Sequence, residues 1–351
     1  MEIKVANDDE WEIWDEFIIN RAESSPYLLF CWKKALEKAY GHQTYYLLAL
    51  ENKKMVGALP LALIKIPFLG SSLVSLPFCD YGGVVSGESR VRDLLLDEAV
   101  RLGNELNANR VEIRSTYKYN HLEDGAYPVN IITDKVSMIL PLSDDSQKTW
   151  DGFKSKLRSQ IRKAERNDLT FLWGGKTEID EFYRVWAINM RDLGSPAHSK
   201  KWFNSIINGY GDSVKIALVR DNHGDTIASA IILLTDHIVC IPWASTIRKY
   251  NKLSPNMLLY WNILKYCSDH GYNSFDFGRC SPQGGTFKFK EQWGATKQEL
   301  FWHEISLNNG HYEKSSGINY RKRAFVERIW SHLPVAFTNF VGPVIRKYIS
   351  L

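Results

Sequence analysis

The residues best suited to chemistry lie between Ser274 and Ala295, in SFDFGRCSPQGGTFKFKEQWGA. Asp276, Arg279, Lys288 and Lys290 stand there among Phe275, Phe277, Phe287, Phe289 and Trp293. A core strand does not need these charges, and a solvated loop does not need these aromatics. A few polar groups set in an apolar surround are what a small-molecule site requires. The segment reads as a strand Ser274–Phe277, a turn at Gly278, and a loop through Gly284 and Gly285 that carries both lysines.

A second concentration of charge lies in residues 154–166, KSKLRSQIRKAER, with six basic residues and one acidic residue. The spacing predicts one helix over Gln147–Asn167. Phe153, Leu157, Ile161 and Ala164 form its apolar stripe, and Lys154, Arg158, Arg162 and Arg166 form a basic stripe beside it. A solvated helix face usually mixes signs into ion pairs, which Glu165 alone cannot supply. Grouped guanidinium and ammonium groups suit a phosphate or pyrophosphate. A merely solvated charged face is the other reading.

The elements that must position these groups recur. Two helices fill residues 10–39, with Ser25-Pro26 as a start signal. Strands Thr44–Leu50 and Met55–Ile64 form a hairpin. A loop containing PFCDYGG, a helix Glu88–Leu106 and a strand Arg110–Ser115 follow. The second half repeats the order: helices Glu178–Leu193 and Lys200–Asn208, strands Val214–Val219, Thr226–Leu234 and Ile238–Ala244, a helix Pro255–His270 begun by Ser254-Pro255, and the strand Ser274–Phe277. YYLLALENKKMVGALPLALI aligns with VKIALVRDNHGDTIASAIIL. An internal duplication follows, with Val136–Leu140 as a strand between the halves.

Composition sets the bounds. A chain of 351 residues with 44% hydrophobic and 24% charged residues is globular and large enough for two domains. The net charge of +4 argues against a general polyanion binder, so no DNA partner is expected. The five cysteines form no C-x-x-C, which excludes a zinc ribbon, and no metal is expected. The acidic N-terminus lacks the apolar core of a signal peptide and no run reaches membrane-span length, so a cytoplasmic location is expected.

The order KLRSQIRKAER, NMRDLGSP, SPNMLLYW, FDFGR and GTFKFKEQWGA resembles the FemAB-like transferases, in particular the branch associated with exosortase/PEP-CTERM and exopolysaccharide loci. The resemblance runs over almost the whole chain. It implies an α/β (α+β) fold of two tandem GNAT-like acyltransferase domains with mixed sheets. It also implies acyl or aminoacyl transfer to an amine, with no tightly bound cofactor. The co-substrate would be acyl-CoA or aminoacyl-tRNA, and the acceptor a sugar-nucleotide or a polyprenyl-linked precursor of a surface polymer. By position, Lys290 matches the family lysine at the reacting carbonyl, and Arg158, Arg162 and Lys163 match its precursor-binding segment. A lysine among aromatics would stabilise the tetrahedral oxyanion of acyl transfer. Asp276 would orient the amine, take its proton or hold Arg279; a structural ion pair with Arg279 is the bland alternative. Asn256 reads as a substrate contact or as a second cap. Trp293, Trp243 and Tyr250 are further substrate-binding candidates, and His198 is a weaker one.

Two departures bear on the donor. Ser245–Lys252 contains no glycine where a CoA-binding GNAT domain carries Q/R-x-x-G-x-G/A, so CoA binding in the usual manner is not expected. Arg248, Lys249 and Lys252 offer side-chain contacts to phosphate instead. No paired helical arm for tRNA is visible. The expected layout is 1–145 and 171–310 as the two domains, 146–170 as a basic linking helix, and 311–351 as a basic and aromatic tail. Within it, 318–351 reads either as an interfacial segment on the inner membrane face or as a helix packed on the protein. A non-catalytic binding protein for an anionic glycan or lipid precursor is the rival reading of the whole chain.

Overall fold

The structure, a computed structural model, describes residues 1–21, 24–307 and 320–350. Its strands, in chain order, are β1 (Glu2–Val5), β2 (Gln43–Glu51), β3 (Lys54–Ile66), β4 (Gly70–Val74), β5 (Arg110–Ser115), β6 (Val129–Ile132), β7 (Val136–Pro141), β8 (Thr170–Gly174), β9 (Val214–Arg220), β10 (Thr226–Leu234), β11 (Ile238–Thr246), β12 (Ser274–Cys280), β13 (Thr296–Glu299) and β14 (Phe301–Ser306). They form two compact units. One is Met1–Ser137 with Gln298–Ser316 and Tyr348–Leu351; the other is Met138–Lys297 with Gly317–Lys347.

The first unit is a seven-stranded sheet of order β1-β2-β3-β4-β5-β14-β6. β2 and β3 are joined at Asn52 and Lys53, both at positive φ, the two-residue turn whose twist matches an antiparallel pair. β4 then lies parallel to β5. The helix Ser89–Glu105 supplies that crossover and lays Val91, Leu95, Ala99 and Leu102 on Leu47, Leu59, Leu61 and Leu63. Gly57 permits the contact, since a Cβ there would come within 2.6 Å of Val91.

The second unit repeats these relations in β8-β9-β10-β11-β12, with β7 and β13 beyond β12. β8 to β11 are antiparallel neighbours, and β11 is parallel to β12. Helices Ile179–Asp192 and Pro255–Asp269 pack on this sheet. The duplicated order expected from the sequence is therefore present as strand order.

Four expectations need correction. The strands near the domain boundaries depart from the expected layout: β7, read as a strand between the halves, lies beside β12 in the second sheet, and β14, inside the expected 171–310 domain but not foreseen as a strand, inserts between β5 and β6. β14 pairs with β5 over six positions, Phe301↔Ser115 to Ser306↔Arg110, and that ladder fixes its membership. The predicted Gln147–Asn167 helix is two helices, Ser146–Gly152 and Ser155–Glu165, because Phe153 and Lys154 are extended. Ser254 is no side-chain cap. It sits at φ 56°, closing the preceding 3-10 turn through its N–H to Asn251. The tail, expected as one segment, forms two helices, Tyr320–Trp330 and Val335–Arg346, with Pro343 inside the second. Among the described residues, no helix is long and apolar enough to cross a membrane. The rest of the expected tail, residues 311–319 and 351, lies outside the described residues.

One buried and one half-buried group in the first unit tie stability to pH. His303 on β14 is fully buried, accepts the Tyr119 N–H at Nε2 (3.0 Å), and is pushed down to about 4 by burial. Asp15, which accepts the Phe30 N–H at 2.7 Å, is pushed up to about 6 by burial and acts in the opposite direction. A depressed histidine contributes stability above its unfolded value near 6.5 that is lost as pH falls toward 4, on the order of 3 kcal/mol in full. Hydrogen exchange of β5 and β14 amides at pH 7 and pH 4.5 should therefore show lost protection in the wild type. His303→Gln should show a smaller pH difference; an equal one would remove His303 from the effect.

Candidate active site

The site begins where two parallel strands part. β11 and β12 pair at Ile238↔Ser274, Val239↔Phe275 and Cys240↔Asp276. Beyond that register β11 continues to Thr246 and β12 to Cys280 without pairing to each other. Their C-terminal halves bound a wedge, and Asp276 marks its apex. Unpaired strand ends at the carboxyl side of an α/β sheet are where such sheets take ligands. The first unit has the same parallel pair but closes the gap with its own chain: Ser75 Oγ accepts the Arg114 N–H (2.8 Å), and Gly82 donates to the Arg114 carbonyl (3.1 Å).

β12 does not end at Gly278 but bends there, with Gly278 at φ 75°. The Gly278 N–H donates to Asp276 Oδ1 at 2.7 Å. Asp276 is buried, with Cys240 Sγ 4.0 Å from Oδ2. The stretch expected to be a loop is a short helix, Gly285–Glu291. It turns Lys290 inward, and Nζ donates to the carbonyls of Gly278 (2.7 Å) and Arg279 (2.9 Å). Lys290 is 5% exposed, so it is not a solvated loop lysine. Lys288 of the same helix is exposed.

An aromatic chain joins this lysine helix to the basic helix. Phe289 and Trp293 both pack on Tyr260 (ring centres 5.1 and 6.1 Å), and Tyr260 stacks on Phe277 of β12 (5.6 Å). Trp293 meets Phe153 edge to face (5.5 Å), Phe153 meets Trp261 (5.7 Å), and Trp261 meets Trp150 (4.9 Å). Arg162 lies over the Trp150 ring at 5.4 Å. Phe153, the residue that breaks the predicted helix, is thus the link between the two charged segments. Trp293 is 1% exposed and its indole N–H has no acceptor in the structure. Leu157, Ile161 and Ala164 are buried as the apolar stripe requires, while Arg162, Lys163 and Arg166 are exposed and Arg158 is half-buried. Among the described residues, none of these basic groups is in an ion pair.

The other expected site residues are dispersed. Asn256 is half-buried at the second position of its helix. Tyr250, with Lys249 over its ring at 4.6 Å, lines a cavity of about 430 Å³ together with Arg184, Arg191, Thr226 and Ile247. Trp243 is buried against Trp202 and Phe203 (6.2 and 5.1 Å), a core position. His198 is buried, stacks on Trp202 and accepts from Arg346 Nε at 3.1 Å; burial and that guanidinium hold it well below the usual imidazole range. Trp243 lies on β11 past its last register with β12, its ring turned to Trp202 and Phe203, and His198 packs on Trp202. The structure adds Tyr260, whose hydroxyl is pushed up by burial. Tyr260 lies four residues past Asn256 on one helix face, a spacing that could have marked it.

Replacing Lys290 with Met would leave the Gly278 and Arg279 carbonyls without their donor in a buried setting. A loss of about 1–3 kcal/mol is expected, read as a lower urea midpoint with an unchanged slope. An unchanged midpoint would mean that the two bonds do not hold the bend.

Comparison with known proteins gives the fold's relatives. The acetyltransferase (GNAT) domain family matches residues 152–291, which contain the wedge, both charged helices and Lys290. No curated protein matches the chain. Among solved structures, FemX is 15% identical with a TM-score of 0.71, over 88% of this chain and 98% of that one. The C-terminal domain (DUF2156) of a lysylphosphatidylglycerol synthetase from Agrobacterium fabrum is 14% identical with a TM-score of 0.60, over 92% and 97%. A tandem GNAT protein from the clavulanic acid biosynthesis pathway is 12% identical with a TM-score of 0.57, over 87% and 98%. The chain therefore has a mixed α/β fold shared with FemX and tandem GNAT proteins, and its second unit carries the part that matches a GNAT acetyltransferase domain.

Proposed function

We propose that the protein is an N-acyltransferase or aminoacyltransferase acting on an anionic precursor of a cell-surface polymer. The observation that supports it most is the wedge between β11 and β12, with a buried ammonium group at its rim. An acyl donor would lie between the two strand ends past their last shared register, Cys240↔Asp276. The acceptor amine attacks the donor carbonyl, giving a tetrahedral oxyanion. Collapse expels the thiolate of an acyl-CoA or the ribose oxygen of an aminoacyl-tRNA, and the amine proton leaves to a base or to the leaving group. Lys290 would stabilise the oxyanion in a low-dielectric surround. Asp276, held to the Gly278 N–H, would set the bend that aims Lys290 and assist the amine.

Arg158, Arg162 and Lys163 would bind the acceptor's phosphates, which their lack of ion-pair partners favours. Arg279, Trp293, Asn256 and Tyr250 would line the acceptor path. The motif resemblance to exosortase-associated proteins points to a sugar or peptide precursor, nucleotide-linked or carried on a polyprenyl lipid, met in the cytoplasm or at the inner membrane face.

The test offers labelled acyl-CoA and aminoacyl-tRNA in turn, with nucleotide-linked amino sugars as acceptors, and detects the amide by mass spectrometry. Lys290→Ala should lower kcat roughly 100-fold or more. Arg158→Glu with Arg162→Glu should raise KM for phosphate-bearing acceptors and leave kcat on an uncharged amine unchanged. No transfer from either donor, together with tight binding of a phosphorylated glycan, would replace the enzyme with a binding protein.

A further inference from the structure

The two tail helices have opposed faces. On Val335–Arg346, Thr338 and Gly342 are buried, and a Cβ at Gly342 would approach Ala197 N within 3.2 Å. Arg346 donates to His198, and Arg191 donates to the Leu333 carbonyl at 3.1 Å. These contacts fix the helix on the second unit through one face. The other face carries Phe337, Phe340 and Val344 at helical spacing, with Phe340 81% exposed. On Tyr320–Trp330, Trp330 is buried while Phe325 (65% exposed), Val326 and Ile329 face outward. Contiguous exposed apolar surface of this kind marks an interaction site.

Charge selects the occupant. By sequence, residues 320–350 hold Arg321, Lys322, Arg323, Arg328 and Lys347, besides Arg346 which is turned to His198, against one acid, Glu327. A second copy of this chain would bring the same cationic set against itself. An anionic bilayer surface satisfies both features, taking the rings into the headgroup layer and the cations at its charge. The 12-residue helix Val335–Arg346 is about 18 Å long, well short of a bilayer's hydrocarbon core of about 30 Å, so it would lie in the plane of the interface.

We infer that the outer faces of Tyr320–Trp330 and Val335–Arg346 form a docking surface for anionic phospholipid membranes. The inference does not depend on the transferase reading. Flotation of the full chain with vesicles of phosphatidylcholine and phosphatidylglycerol (about 7:3), and with phosphatidylcholine alone, tests it. The wild type should float with the anionic vesicles, weakly with the neutral ones, and less as salt rises. The combined Phe337→Ser, Phe340→Ser and Val344→Ser variant should lose roughly 10- to 100-fold in anionic-vesicle affinity, with its circular dichroism and melting temperature unchanged. Its transfer to water-soluble acceptors should also be unchanged, which separates failed docking from failed chemistry. Equal flotation of variant and wild type, or no flotation of either, would overturn the inference. So would a dimer, measured by light scattering, that the variant dissolves, since the face would then belong to a second copy.

Discussion

A buried ammonium group cannot stay charged without partners, because removing it from water costs several kcal/mol. Lys290 meets that constraint with two carbonyls of one strand end, Gly278 and Arg279. Both carbonyls are available only because β12 bends where it leaves the sheet, and the bend needs a left-handed residue at Gly278. The bend in turn is tied to Asp276 at the last paired register of β11 and β12. Remove any member and the lysine loses either its partners or its place. The aromatic chain from Phe289 to Trp150 seals this arrangement and carries the basic helix with it.

The two units show what separates a scaffold from a site. Each has an antiparallel run ending in one parallel pair, and each supplies a helix for the crossover. In the first unit the space past the parallel pair is taken by Ser75, Gly82 and the buried Arg114, whose guanidinium bonds Glu112 and the carbonyl of Cys79. In the second unit no such insertion follows β11. Past β12 a short helix and β13 follow, as the short helix Asn120–Glu123 and β6 follow β5; the second unit's helix, Gly285–Glu291, carries the buried Lys290, where Asn120–Glu123 has no lysine. The two copies thus differ in how they fill the space past their parallel pair.

The sequence disclosed the repeated order because it is written in local signals. Hairpin turns, the unbroken apolar runs of β2 and β3, and the apolar stripe of Ser89–Glu105 are all local signals. The charge on 154–166 and the mixture in Ser274–Ala295 were equally visible. Two local features were misread for lack of length. The Gly285–Glu291 helix is too short for a periodicity to show, and its glycine-rich start looked like a loop. Phe153 kept the apolar period across a break in the backbone, so the pattern alone could not reveal that the helix stops there. The placement of β7 and β14 depends on pairing between distant segments, which no local pattern encodes. Trp243 looks like a ligand contact by residue type, and its packing on Trp202 and Phe203 of the helix Lys200–Tyr210 likewise joins two elements distant in sequence.

The insertion of β14 between β5 and β6 also orders the birth of the molecule. As the chain leaves the ribosome, domains form in the sequence of their synthesis when all their parts are contiguous. Here the N-terminal sheet lacks an interior strand until Phe301–Ser306 has emerged, after all of Met138–Lys297. Until then β5 presents an unpaired edge, an exposed template for wrong partners. The second unit's strands, by contrast, are complete by Glu299. The half of the chain made first is therefore the half whose sheet closes last, and the nascent protein must shelter that open edge for most of its translation.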